Sequence, residues 1–281
     1  MADHYGFEFI RTELDEDGIL LVTLNRPEVG NAVNMEMHEE LREVLVKIAR
    51  DFEVKVVVLT GAGEAFCRGA TMQTLRANLD KAESETPPEE QPEQVEVIFQ
   101  GYLGEANDIT RNLLAIRQPM IAAMNGDAWG GGASWGLFCD VSFMAEHANI
   151  CDLHVAIGLA AADGGAILWP LLIGINRAKE YLMTGDAMTA PEAYRLGLIN
   201  HCVPGDEVLP RAFELARRLA RGPTSAIRFN KMLVNKQLEE RFVQMSDLGF
   251  AVEGLGASTS DHKRALGQVE EYFERIEKHR A

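Results

Sequence analysis

The sequence contains few of the features that mark secreted or membrane-spanning proteins. Four of its 281 residues are cysteine, and no two of them form a CxxC pair. Such separated cysteines among apolar neighbours indicate buried free thiols in a reducing compartment rather than disulfides or a metal site. No apolar run approaches the roughly 20 residues needed to cross a bilayer. The start, MADHYGFEF, has neither the basic region nor the apolar core of an export signal. We therefore predict a cytoplasmic protein with no metal site and no membrane partner.

Positive charge is also scarce. The chain has 27 Lys and Arg against 43 Asp and Glu, which gives a net charge of −16. Nucleic acids and anionic membrane surfaces are bound by basic stripes, so both are excluded as expected partners. An anionic ligand must instead be held by backbone amides and a few cations. The 47% apolar composition is enough for a large buried core.

What the sequence does contain is an alternation of strand and helix patterns followed by helices alone. Residues 7–13 and 18–24 read as a hairpin, and 55–61 reads as a buried strand. We predict an α/β core over 1–205 and a helical, self-associating region over 206–281. Within that region the patterns predict helices over 206–221, 223–254 with a break, and 259–279.

Three consecutive glycines, Gly130 to Gly132, follow an apolar strand pattern and precede helical spacing. Glycine lets the backbone turn sharply and approach a ligand, and a helix that starts there points free amides at it. The pattern therefore favours an anion site. An ordinary strand-to-helix turn explains the three glycines equally well.

A histidine and an aspartate give the region more specific chemistry. His154 and Asp163 lie nine residues apart, and Asp163 precedes Gly164 and Gly165. A histidine titrates near neutral pH, so it can take a proton from water, and a carboxylate on its other ring nitrogen fixes the tautomer. Two alternatives remain open: His154 as a hydrogen-bonded core residue, and Asp163 as the N-cap of a helix over 164–174.

Several stretches together resemble the crotonase superfamily, or enoyl-CoA hydratase/isomerase family. The resemblance implies a spiral of stacked ββα units with a helical C-terminal region that builds trimers or pairs of trimers. It also implies an oxyanion hole formed by the amides of Ala70 and Gly131. The matching stretches are Asn25-Arg26-Pro27 with Asn31-Ala32, 59–61, 66–70, 125–126, 130–132, 139–140, 182–185, 192–193, 197–200 and 261–263.

The chain departs from the family pattern where hydratases carry two catalytic glutamates. Ser134 and His154 stand at those positions, and neither is a carboxylate. His154 with Asp163, together with Glu253 on a late helix, instead resembles the β-diketone hydrolase branch. The resemblance gives these three residues the catalytic roles. Enzymes of that branch add water to a ketone and expel an enolate, without coenzyme A.

Other stretches, 66–70 and 261–263, resemble the thioester-using majority of the family. The resemblance implies that coenzyme A enters as part of the substrate, with no separate cofactor. Three functions stay open: an acyl-CoA enzyme in which a His–Asp pair replaces the two glutamates, a β-diketone hydrolase, and a non-catalytic acyl-CoA-binding trimer. The expected substrate-binding residues are Arg26, Arg68, Met72, Trp129 and Ser134.

Overall fold

A computed structural model describes residues 3–70 and 107–278, and structural statements below refer to those ranges. Nine strands are found in them: β1 Ile10–Leu14, β2 Ile19–Leu24, β3 Val56–Gly61, β4 Met120–Met124, β5 Ala128–Trp129, β6 Val141–Ala145, β7 Asn149–Cys151, β8 Met188–Thr189 and β9 His201–Val203. They form a six-stranded sheet of order β1-β2-β3-β4-β6-β9 and a three-stranded sheet of order β5-β7-β8.

The predicted hairpin is confirmed as β1 and β2, which pair antiparallel. Its turn is held by Asp15, whose Oδ1 accepts the amides of Asp17 at 3.0 Å and Ile19 at 2.8 Å. Every later pairing in the six-stranded sheet is parallel. Strand β3 is buried along its whole length, as expected for a parallel strand covered on both faces.

The helices of the described ranges are α1 Met35–Arg50, α2 Asn107–Ala115, α3 Gly131–Phe138, α4 Gly165–Ile173, α5 Ile175–Thr184, α6 Ala190–Leu196, α7 Val208–Ala220, α8 Thr224–Ala257, α9 Ser260–Leu266 and α10 Val269–Lys278. Helix α1 begins where predicted, because Oδ1 of Asn34 accepts the amide of Met37 at 3.0 Å.

From β4 to β7, successive strands alternate between the two sheets. Strand β4 joins the large sheet, β5 joins the small one, and α3 follows; β6 and β7 repeat the alternation. This is the ββα unit that the resemblance implied, so the predicted fold class is confirmed. The first turn of α3 and the loop after β7 consequently lie near each other, since Gly130 N donates to Cys151 O at 2.9 Å.

The helical region differs from the prediction in two places. Helix α8 runs unbroken for 34 residues, and the segment expected as one helix over 259–279 is two, α9 and α10. The glycines of α8 do not break it because they allow close packing: a Cβ at Gly249 would lie 3.3 Å from Cβ of Ala162, and one at Gly256 would lie 3.3 Å from the Gly158 carbonyl. Helix α8 thus lies directly over the loop after β7.

The division into a core over 1–205 and a helical region over 206–281 stays a prediction.

All four cysteines are free, and burial raises the pKa of the Cys67 thiol to about 12. Among the described helices, none is both long enough and apolar enough to cross a membrane.

Candidate active site

His154 begins a short 3-10 helix just after β7, and its side chain is buried. Ring Nδ1 lies 2.7 Å from Oδ1 of Asp152, and the same oxygen accepts the backbone amide of His154 at 3.1 Å. An aspartate that accepts the amide two residues on forms an Asx turn, so local chain geometry brings the carboxylate to the ring. The imidazole is thereby fixed on its Nδ1 side.

The other ring nitrogen faces two further carboxylates. Nε2 of His154 lies 3.7 Å from Oδ2 of Asp163, in the loop before α4, and 3.9 Å from Oε1 of Glu253, on α8. Glu253 is 6% exposed, and its Oε2 has no hydrogen-bond partner within the described ranges. Carboxyl groups from the segment before the 3-10 helix, from the loop before α4 and from the distant α8 therefore meet at one imidazole.

The expectation that Asp163 is hydrogen-bonded to the His154 ring is wrong. Their 3.7 Å separation exceeds hydrogen-bond length, and Asp152 makes the bond instead. The carboxylate of Asp163 accepts the Ser134 hydroxyl at 3.0 Å and the Gly165 amide. In the sequence, Asp152 counts only as a flanking residue in the resemblance to the β-diketone hydrolase branch and has no role assigned to it, although its position two residues before the histidine is the spacing of an Asx turn.

The crowding of acids around one ring changes the pKa values of His154, Asp163 and Glu253. Burial alone would lower the pKa of His154, but Asp152, Asp163 and Glu253 together raise it well above 6.5. Burial raises the pKa of Asp163, against the attraction of His154. Burial likewise raises the pKa of Glu253 to about 8, partly offset by His154. At neutral pH the cluster therefore holds more protons than the same groups would hold in water.

The loops carrying Ala70 and Gly131 lie side by side. Cys67 forms a parallel bridge with Ala128, and Trp129 N donates to Cys67 O at 2.9 Å. From that bridge the two chains run in the same direction to Ala70 and Gly131. Neither of these two amides donates a hydrogen bond to another described residue, and their role as oxyanion donors stays a prediction.

The glycine turn also adjoins the acidic cluster. A Cβ at Gly131 would lie 3.3 Å from Oδ2 of Asp163, the oxygen that faces His154. Gly130 has φ +52°, a conformation that glycine adopts without strain, and it precedes the first turn of α3. The structure thus brings the predicted amide donor of Gly131 and the titratable groups to one place.

The expected substrate-binding residues occupy different surroundings. Arg68 pairs with the buried Asp127 at 3.0 Å, and its guanidinium lies 4.9 Å from the ring centroid of Trp129. Trp129 is buried, and its indole N–H has no partner among the residues described. Arg26 donates to the Ala32 carbonyl. Met72 lies outside the described residues.

A metal ion has a candidate set of ligands in Asp152, His154 and Asp163, whose ligand atoms lie within 4.8 Å of one another. The two carboxylates, however, approach opposite nitrogens of the ring. Nδ1 is already hydrogen-bonded to Asp152, and an ion at Nε2 would lie on the opposite side of the ring from that oxygen. The arrangement favours proton transfer, and the absence of a metal stays a prediction.

Comparison with known proteins places this chain in a family. The enoyl-CoA hydratase/isomerase family model matches residues 15–279. A short-chain-enoyl-CoA hydratase of Clostridium acetobutylicum is 31% identical over 257 residues, which cover 90% of this chain and 92% of that protein. A crystal structure of an enoyl-CoA hydratase/isomerase from Mycobacterium paratuberculosis has 30% identity and a TM-score of 0.82, with coverage of 94% and 100%.

A third similar protein catalyses different chemistry. It is a β-diketone hydrolase of the cyanobacterium Anabaena, solved with bound (S)-3-oxocyclohexyl acetic acid, at 28% identity and a TM-score of 0.77. The match covers 89% of this chain and 94% of that one. From the family match and these similarities, we conclude that the chain is an enzyme of the enoyl-CoA hydratase/isomerase family.

Proposed function

We propose that the protein stabilises the enolate or oxyanion of an acyl-CoA substrate and moves protons with His154 in place of the two glutamates of hydratases. The observation that carries the proposal is the position of Nε2 of His154, which faces Asp163 and Glu253 beside Gly131. The thioester oxygen would accept hydrogen bonds from the amides of Ala70 and Gly131. Donors held in place before the charge develops stabilise it by about 3–4 kcal/mol each in other oxyanion holes.

The protonation states follow from the site. The raised pKa of His154 favours its protonated form at neutral pH, and Nε2 becomes a strong base once it has lost its proton. Asp163 and Glu253 keep their protons to higher pH than carboxyl groups in water. Two proton-exchanging carboxyl groups therefore lie 3.7 and 3.9 Å from Nε2, and whichever of the three groups has lost its proton can accept one from the substrate or from water.

The test is turnover of enoyl-CoA and acyl-CoA thioesters by the wild type and by His154→Ala. Removing a proton-transfer group costs about 10²–10⁴-fold in kcat. The matched control is His147→Ala, because His147 is exposed and removed from the cluster. Full turnover by His154→Ala, with the fold intact by circular dichroism, would exclude the histidine from the mechanism.

A second candidate is the hydrolysis of a β-diketone without coenzyme A. The observation that favours it is the combination of His154, Asp163 and Glu253 with the similarity to the Anabaena hydrolase. His154 would take a proton from water while the water oxygen bonds to one ketone carbon. The carbon–carbon bond to the central carbon then breaks, its electron pair forms an enolate, and the returned proton completes a keto acid.

Calorimetry and turnover assays with crotonyl-CoA and with a cyclic 1,3-diketone separate the candidates. Turnover of thioesters supports the first candidate, and diketone cleavage with no affinity for coenzyme A supports the second. Tight binding of the thioester with no turnover of either compound would refute both and identify a non-catalytic acyl-CoA-binding protein.

The predicted homotrimer or hexamer is part of the same proposal. Helix α8 carries large apolar side chains that are exposed in the single chain. Burying such side chains in a second copy stabilises an assembly. Light scattering after size-exclusion chromatography should give a mass of three or six chains, and a monomer would contradict the proposal. These side chains are Phe229, Leu233, Val234, Val243, Leu248 and Leu255.

A further inference from the structure

We propose that Asp152 is the residue that positions His154, leaving Nε2 as the reacting nitrogen, and that Gly165 is required to keep Asp152 in place. The inference rests on the proposed function of His154. It separates the three carboxylates by role: Asp152 acts only through the histidine, whereas Asp163 and Glu253 face the nitrogen that exchanges protons.

The contacts support this separation. Asp152 is 3% exposed and its Oδ1 accepts two hydrogen bonds from one residue, from the His154 ring at 2.7 Å and from its amide at 3.1 Å. A carboxylate can only accept, so the ring donates from Nδ1. When His154 loses a proton, the proton at Nδ1 stays and Nε2 becomes the bare, basic nitrogen.

The other two carboxylates do not provide that constraint. Asp163 and Glu253 lie 3.7 and 3.9 Å from Nε2, beyond hydrogen-bond length. Asp163 is held by the Ser134 hydroxyl at 3.0 Å, so its position does not depend on His154. The titratable groups that face the ring are Asp152, on the segment before the 3-10 helix, Asp163, on the loop before α4, and Glu253, on α8.

Gly165 makes room for Asp152 at the start of α4. A Cβ on Gly165 would lie 1.9 Å from Oδ2 of Asp152 and 3.0 Å from Cβ of Ala161. Its φ is not in the left-handed region, so alanine fits the backbone there and is intrinsically better in a helix. An alanine at 165 therefore displaces Asp152 without removing its charge from the chain.

The first test uses nitrogen NMR of His154 in the wild type, Asp152→Ala and the matched variant Asp163→Ala. Both substitutions should lower the pKa of His154, because each removes a neighbouring negative charge. Only Asp152→Ala is expected to change the tautomer, because it removes the oxygen that accepts the Nδ1 proton. At high pH the wild type and Asp163→Ala should keep the proton on Nδ1, whereas Asp152→Ala should move it substantially to Nε2.

The second test is kinetic, with whichever substrate the enzyme turns over. Asp152→Ala should lower kcat by at least about tenfold, equivalent to about 1.4 kcal/mol of transition-state stabilisation, with little change in KM. Its pH–rate profile should shift to lower pH. Gly165→Ala should reproduce the tautomer change and the loss of kcat.

An unchanged Nδ1 tautomer in folded Asp152→Ala would overturn the inference, as would a wild-type tautomer and wild-type kcat in Gly165→Ala. The NMR readout does not require turnover. A positive tautomer result with no activity on any carbonyl substrate would therefore refute the proposed function while leaving the positioning of His154 intact.

Discussion

Glu253 gives the sharpest prediction about stability. It is a buried carboxyl group whose pKa rises from 4.5 in water to about 8 because burial penalises its charged form. The folded protein therefore binds a proton at Glu253 between these two pH values, where the unfolded chain does not. By linkage, the stability that this proton provides is complete below pH 4.5 and is lost as pH rises through about 8.

The size of the effect follows from the same values. A tenfold change in an ionisation constant corresponds to about 1.4 kcal/mol, so the rise from 4.5 to about 8 gives an upper bound of about 5 kcal/mol. The nearby imidazolium of His154, 3.9 Å away, offsets part of it. We expect Glu253→Gln, which keeps the shape and cannot ionise, to be about 1–3 kcal/mol more stable than the wild type at pH 9.

The assay is urea unfolding at pH 6, 7, 8 and 9, at one protein concentration because assembly also contributes to stability. The wild type should lose stability steadily as pH rises, and Glu253→Gln should lose less. Glu240→Gln, at an exposed position of α8, removes the same charge and should follow the wild type. Parallel pH dependences for the wild type and Glu253→Gln would refute the reasoning.

Three further predictions concern the site. Ser134→Ala removes the 3.0 Å hydrogen bond to Asp163; the pKa of Asp163 should rise further and kcat/KM should fall about tenfold in steady-state kinetics, a charge-assisted bond being worth about 1.5–3 kcal/mol. Gly132→Ala would place a Cβ 2.4 Å from the Cys67 carbonyl and should destabilise the fold by about 1–3 kcal/mol in urea unfolding; an unchanged midpoint would contradict the packing. If His154 acts as a base, activity should rise with pH with an apparent pKa above 6.5, because its raised pKa keeps it protonated below that value; a rise centred below 6.5 would argue against it.

Sequence alone determined the local elements of this protein. The turn residues around Asp15 predict the hairpin, and the cap at Asn34 predicts the start of α1, because both depend on contacts between neighbours in the chain. The family motifs, spread over most of the chain, predict the ββα fold. They also identify His154, Asp163 and Glu253 as residues of interest, from their position in the family pattern.

Only the tertiary structure decided what those residues do to one another. The spacing of an Asx turn brings Asp152 to the ring, but the distance of Asp163 from the ring depends on how the loop before α4 packs against the 3-10 helix, which spacing does not encode. The presence of Glu253 at Nε2 depends on the course of α8, about 100 residues away in sequence. Proton affinities are set by burial and by charges within a few ångströms, so they emerge when distant segments meet.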